Sequence, residues 1–306
     1  MDISLMELLK VVILGIVEGL TEWLPVSSTG HMILVDEFIR LDVSTAFMDM
    51  FLVVIQLGAI LAVVVLNLEK LNPFLKSKSE AERRETFDLW GKVIVACLPA
   101  AVIGLAFNKY MEEHFMNAPV VAAMLILYGV LFIVVERWNK RRTPRVDDLA
   151  ALDYRTAFII GMFQVLSLVP GTSRSGATIL GGIIFGASRY VATEFTFFLA
   201  IPVMFGASFL KLVKFGWNYT GTELVILGVG MVTAFIVSIL SIQFLLRYIK
   251  RNDFTAFGWY RIKMTIAGIG IEKNDNQKLV TRNIALPVGN RQETLMVLRL
   301  LLPALD

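Results

Sequence analysis

Five long runs of apolar residues set the pattern of the chain: Phe47–Leu66, Leu89–Phe107, Ala118–Val135, Thr193–Leu212 and Leu224–Leu246. Each approaches the ~20 residues that a helix needs to cross a bilayer, so each predicts a spanning helix. Two other apolar stretches do not fit that reading. Residues 5–35 are broken near Pro25, and Ala157–Ala187 is broken by Pro170-Gly171, leaving pieces that are short for a full crossing. Each pair predicts a helical hairpin that enters the membrane and returns, an arrangement tolerated only where protein or water satisfies the freed backbone groups.

The charges give these elements a direction. Basic residues concentrate between Asn67 and Thr86, between Arg137 and Arg155, and at Arg247, Lys250 and Arg251. The excess of Lys and Arg in cytoplasmic loops places all three inside. The connections near Glu112–His114 and Trp217–Thr222 then face outward. Alternation works if the segment before Phe47, with Asp36, Glu37 and Asp42, begins outside, and if Arg155–Arg189 begins and ends inside. One hairpin therefore dips from each side. A gapless alignment of Gly15 with Gly161 supports a duplication: Glu18 pairs with Gln164, Thr21 with Ser167, Ser27 with Ser173, Thr29 with Ser175 and Gly30 with Gly176, while Ser28 falls opposite Arg174. The matches fall on polar residues rather than on the common Leu and Val.

The predicted fold is an all-α polytopic membrane protein. About six spanning helices and two re-entrant helical hairpins form inverted-topology repeats. Residues 1–271 form one transmembrane domain, with halves of about 1–135 and 155–271, and 272–306 form a polar tail ending in Leu295–Leu302. Composition agrees: 56% of the 306 residues are hydrophobic and 18% are charged, against about 25% charged in soluble domains. The net charge of +3 is small and sits in loops, which argues against nucleic-acid binding. Cys97 is the single cysteine, so it forms no internal disulfide and reads as helix packing. Lys92, Arg189, Lys211 and Glu223 read as anchors at span ends.

Two polar islands interrupt this apolar background, and ionisable groups there need partners, a cavity or a job. The first is EGLTEWLPVSSTGH, Glu18 to His31. Glu18 and Glu22, four apart, share one helix face and could hold a divalent cation, or one could serve as a general base. Ser27, Ser28, Thr29 and Gly30 precede a helix and suit an anion cradle, although an ordinary helix cap would look the same. His31 could complete a Ser/His/Glu set; a satisfied core histidine is the bland alternative. The second island, PGTSRSGAT, holds Gly171, Thr172, Ser173, Arg174, Ser175, Gly176 and Thr178. Arg174 offers a planar fork of donors suited to phosphate oxygens.

These two islands, their order and the intervening VVIQLGAILAVV resemble the signature motifs of the undecaprenyl-diphosphatases, the bacitracin-resistance membrane phosphatases. The resemblance covers about Met1 to Arg261. It implies hydrolysis of undecaprenyl diphosphate to undecaprenyl phosphate and inorganic phosphate, recycling a lipid carrier for cell-wall synthesis in the bacterial plasma membrane. The site would face the outer leaflet. It further implies Glu18, Glu22, Ser28, His31 and Arg174 as catalytic residues, with Ser27, Thr29, Gly30, Gly171, Thr172, Ser173, Ser175, Gly176 and Thr178 binding substrate. Mg²⁺ or Ca²⁺ would sit at Glu18 and Glu22. The partners implied are the polyprenyl diphosphate and membrane lipids, with a homodimer left open. Two features depart from the family. Leu52 stands where an acidic residue is expected, with Asp49 a turn away, and the chain runs on past its last apolar stretch. The rival from another class is a polyprenyl-phosphate flippase, because inverted repeats with broken helices also build transporters.

Overall fold

A computed structural model describes residues 3–274 except 29, 33, 34, 36–38 and 116. The tail from 275, with Leu295–Leu302, and the acidic Asp36 and Glu37 lie outside the described residues. The chain is built of helices in that range: α1 (Leu5–Thr21), α2 (Thr45–Leu66), α3 (Glu80–Phe115), α4 (Ala118–Asn139), α5 (Tyr154–Val165), α6 (Arg174–Ile184), α7 (Arg189–Phe215), α8 (Gly221–Ile249) and α9 (Thr255–Asn274). The five apolar runs all lie in helices long and apolar enough to cross a membrane, α2, α3, α4, α7 and α8. Their outer faces leave Val102, Leu105, Phe209 and Leu240 exposed, as lipid contact requires. The chain is a multi-pass membrane protein.

Five such helices stand where about six spans were expected. The sixth, α9, is interrupted by Arg261 and Lys263 and is too polar to qualify among the described residues. The two broken stretches are built as the prolines dictate. After α1 the chain turns through residues 22–26, and helical backbone resumes at Ser28. After α5 a short 3₁₀ turn, Leu166–Leu168, leads through Pro170-Gly171 to α6. Gly171 at φ +88° takes a conformation that side-chain-bearing residues avoid.

Side-chain caps set the starts of several helices. Ser44 caps α2. Asp153 caps α5, and its hydrogen bonds from Thr156 hold its carboxyl below the usual range. Thr220 and Glu223 form a reciprocal capping box on α8. Glu223 is thus a cap rather than an interface anchor. Arg189 is no anchor either: its guanidinium grips the fully buried Glu136 at 2.9, 2.9 and 2.6 Å, and Glu136 also accepts the N–H of Phe254. Lys92 is buried against Asp88 at 2.6 Å.

Helices from the early and late parts of the chain interleave rather than sit side by side. α1 packs on α8, α5 packs on α3, α2 meets α7, and α4 meets α9. The aligned glycines Gly15 and Gly161 show why these contacts are close. A Cβ on Gly15 would lie 2.7 Å from Cβ of Thr233 in α8, and one on Gly161 would lie 2.1 Å from the carbonyl oxygen of Ala96 in α3. Only glycine lets each short helix sit this deep. Cys97 fills the α3–α7 contact, with Sγ 3.9 Å from the Leu199 carbonyl oxygen. The result buries both broken stretches among Trp23, Phe132, Phe195, Phe197 and Phe198.

Candidate active site

The turn after α1 and the start of α6 meet in this interior. Arg174 Nη2 donates to Glu22 Oε1 at 2.6 Å, and Ser28 Oγ donates to Glu22 Oε2 at 2.5 Å. Side-chain exposures of 13% and 8% for Arg174 and Glu22 keep the pair largely out of bulk water, where Coulombic terms are stronger and a lone charge would be costly. Arg174 also donates to the Thr196 carbonyl at 3.3 Å and approaches Sδ of Met204 at 3.5 Å. The second island is tied directly to the first by Ser175, whose hydroxyl lies 3.4 Å from the carbonyls of both Glu22 and Leu24.

The remaining candidates divide by where their polar atoms point. Glu18 is fully buried, and neither carboxylate oxygen has a partner; it lies within electrostatic reach of Glu22 and Arg174. Thr172 Oγ1 and Trp23 Nε1 are likewise buried without partners. Unpaired buried polar atoms are rare in folded proteins, and these three belong to the same two segments. Gly30, Gly171 and Gly176 are buried beside them. Thr29 lies outside the described residues. Thr178 turns its hydroxyl to the Arg174 carbonyl at 3.0 Å and accepts from Thr196 at 2.9 Å, so it braces α6 rather than facing the pair. Ser173 accepts from Gly176 N at 3.2 Å and so caps the start of α6.

The ring nitrogens of His31 are engaged outside the Ser28–Glu22 pair. Its Nδ1 lies 2.8 Å from the Ser27 carbonyl and its Nε2 2.9 Å from the Tyr260 hydroxyl, and Glu22 is the group that holds Ser28. Ser27 and Ser173 share one further property. They are the only non-glycine residues with positive φ among the described residues, at 76° and 74°. The gapless alignment pairs these same two positions.

Tyr260, Thr196 and Arg261 escaped the sequence reading. Tyr260 and Thr196 carry no local signal, because their contacts come from distant helices. Arg261 did carry one: a cation inside an apolar stretch. The two partnerless carboxylate oxygens of Glu18 are hard donors of the kind a divalent cation takes, while both oxygens of Glu22 are engaged by Arg174 and Ser28. Among the described residues no group of three His, Cys, Asp or Glu gathers in one place, so the protein alone offers a partial set.

Residues 11–267 match the family described as bacitracin resistance protein BacA. The chain is 62% identical over 260 residues to an undecaprenyl-diphosphatase of Desulfitobacterium hafniense, covering 85% of this chain and 94% of that protein. It is 60% identical over 264 residues to one of Enterococcus faecalis, covering 85% and 96%. It is 60% identical over 269 residues to one of Lactiplantibacillus plantarum, covering 87% and 98%. A match spanning both polar islands and every described spanning helix leaves one conclusion: the chain belongs to the BacA family.

Proposed function

We propose that the Glu22–Ser28–Arg174 cluster hydrolyses the terminal phosphate of a membrane-bound polyprenyl diphosphate. The chain is an undecaprenyl-diphosphatase, as its relatives are, and undecaprenyl diphosphate is the substrate assigned to it. The observation that carries the site is the pair of bonds to one carboxylate, Ser28 at 2.5 Å and Arg174 at 2.6 Å. A nucleophile bonded to a base, and that base oriented by a third group, is the arrangement of an activated hydroxyl.

In this reading the diphosphate enters beside Arg174, whose fork takes the phosphate oxygens. Ser28 Oγ attacks the terminal phosphorus and its proton passes to Glu22. The bond to the bridging oxygen breaks, and undecaprenyl phosphate leaves with that oxygen. The departing phosphate takes the proton from Glu22. The regenerated carboxylate then deprotonates a water that attacks the phosphoserine, Ser28 Oγ leaves and retakes that proton, and inorganic phosphate is freed. Positioning and charge neutralisation do most of the work in phosphoryl transfer. A Mg²⁺ or Ca²⁺ held by Glu18 and Glu22 would supply further neutralisation. His31, fixed between Ser27 and Tyr260, keeps the start of its helix in register with Ser28. Ser27, Gly30, Gly171, Thr172 and Gly176 line the phosphate's place, with the free Thr172 hydroxyl as a donor.

The same reading gives the membrane arrangement. The interleaved contacts and the matched left-handed serines support two inverted repeats within residues 1–271, each with a re-entrant hairpin, and the basic loops support a site open to the outer leaflet. Broken helices about a pseudo-twofold axis are also transporter architecture. Phosphate release by purified protein in detergent separates the two, because transport needs a sealed bilayer. Wild type should release phosphate from the lipid diphosphate, and Ser28→Ala should fall by several orders of magnitude, as loss of an attacking hydroxyl does. Near-normal turnover in Ser28→Ala would remove the serine from the chemistry.

A further inference from the structure

Arg261 is a large side chain with no exposure at all, and every hydrogen bond described for it ends on a main-chain carbonyl. Nη1 donates to Pro25 at 3.1 Å, Nη2 to Gly171 at 2.6 Å and Thr172 at 2.9 Å, and Nε to Leu125 at 3.4 Å. No ion pair is described for it among the described residues. Its guanidinium carbon sits 5.6 Å from the ring centre of Tyr128. Pro25 lies in the first break and Gly171-Thr172 in the second. We propose that Arg261 is the positioning residue that sets the spacing between the two broken stretches, and hence between Ser28–Glu22 and Arg174. This rests on the reading of those groups as the diphosphate site.

The physical case starts from the breaks themselves. Each turn frees carbonyl groups that a helix would have paired, and in an apolar interior each unpaired group costs several kcal/mol. A guanidinium carries five donors in a rigid planar fork. One such fork reaching both turns satisfies them together and fixes their distance. An ammonium keeps the charge but lacks the planar reach. The helix is brought there by glycines: a Cβ on Gly258 would lie 2.6 Å from the Gly129 carbonyl oxygen, and one on Gly129 would lie 2.8 Å from that of Gly258. This close α4–α9 crossing leaves Arg261 one turn further on, against the breaks. The neighbouring Tyr260 meets His31 from the same helix. A Cβ on Gly176 would stand 3.3 Å from Arg261 Nη1, so α6 also fits around the fork.

The test compares Arg261→Lys, Arg261→Met and Arg174→Ala with wild type, by steady-state phosphate release in detergent at a temperature well below each midpoint of thermal unfolding. The expected result is a folded, monodisperse Arg261→Lys with kcat down about 100-fold, the scale of a 1 Å misplacement, and KM within about threefold. A merely structural role would lower the unfolding midpoint without moving kcat in the folded protein. Arg261→Lys with kcat within threefold of wild type overturns the proposal. So does a rise in KM alone, which would make Arg261 a substrate contact. Failure of both variants to fold also overturns it, since the guanidinium would then serve the whole fold. Arg174→Ala keeps the two ideas apart: if it turns over normally the diphosphate site is wrong, and if it is inactive while Arg261→Lys is normal only the clamp fails.

Discussion

The two polar islands occupy matching places in the alignment of Gly15 with Gly161 yet carry opposite chemistry. Ser27 and Ser173 share a positive φ, so the two turns match at that position. The next residue differs: it is Ser28 in the first half and Arg174 in the second. Glu18 in the first half is matched by Gln164 in the second, and both are buried with unpaired side-chain atoms. In the proposed reaction the first island supplies base, hydroxyl and the acidic pair, and the second supplies the fixed cation. If the two turns arose by duplication, the proposed diphosphate chemistry depends on their having diverged. Glu22 belongs to the first half but is completed only by Arg174 from the second, so neither island is a site alone.

The largest effect should come from removing the second half's cation. Arg174→Ala should cut phosphate release by at least about 10³-fold, in line with the worth of an arginine on a transferring phosphoryl group. It should also destabilise the protein, because Glu22 would be left as a buried charge without its partner. Adding Glu22→Gln to that variant removes the stranded charge. The double variant should therefore regain thermal stability in detergent while staying inactive. Recovered activity in the double variant would show that the ion pair is structural and that the halves do not share one site.

A milder change makes the halves alike. Glu18→Gln places in the first half the residue that the second half has at Gln164. The neutral amide relieves an unpaired buried carboxylate, so the unfolding midpoint should hold or rise. The half-saturating Mg²⁺ concentration for phosphate release should rise at least about tenfold, since a hard-oxygen ligand is lost. An unchanged Mg²⁺ titration would take Glu18 out of cation binding and leave its unpaired oxygens without an explanation.

Much of this comparison was legible before any coordinates. Apolar runs as long as a bilayer is thick can be little but spans, and polar residues inside apolar stretches advertise their cost. The alignment of Gly15 with Gly161 already paired Ser27 with Ser173. Contacts made across long separations were not legible. Arg189 reads as a surface anchor until Glu136 is found beneath it, because neither residue's local sequence names the other. His31 sits three residues from Ser28, which suggested a triad, but Tyr260 takes its Nε2 from more than two hundred residues away. Arg261 interrupts the apolar run of α9. Its sequence signal was correct in kind, an intramembrane charge, but its partners are carbonyls, which every residue carries and no motif marks.

The smallest predicted effect probes the shared turn itself. A non-glycine residue held at positive φ stores about 1–3 kcal/mol, part of which glycine recovers, less its own entropic cost of roughly 0.5–1 kcal/mol. Ser27→Gly should therefore stabilise the protein by about 1 kcal/mol. Ser173→Gly should gain less, because Ser173 Oγ caps α6 through Gly176 N and replacing a serine cap by glycine gives back a few tenths of a kcal/mol. Thermal unfolding of the two variants in detergent should rank Ser27→Gly above Ser173→Gly, by an interval near 1 °C for a chain of this size. The same strain aims the adjoining side chain, so Ser27→Gly should be the more stable protein and the slower enzyme. If both variants gain equally and keep full turnover, the strained turns are inherited from the duplication and play no part in placing Ser28 or Arg174.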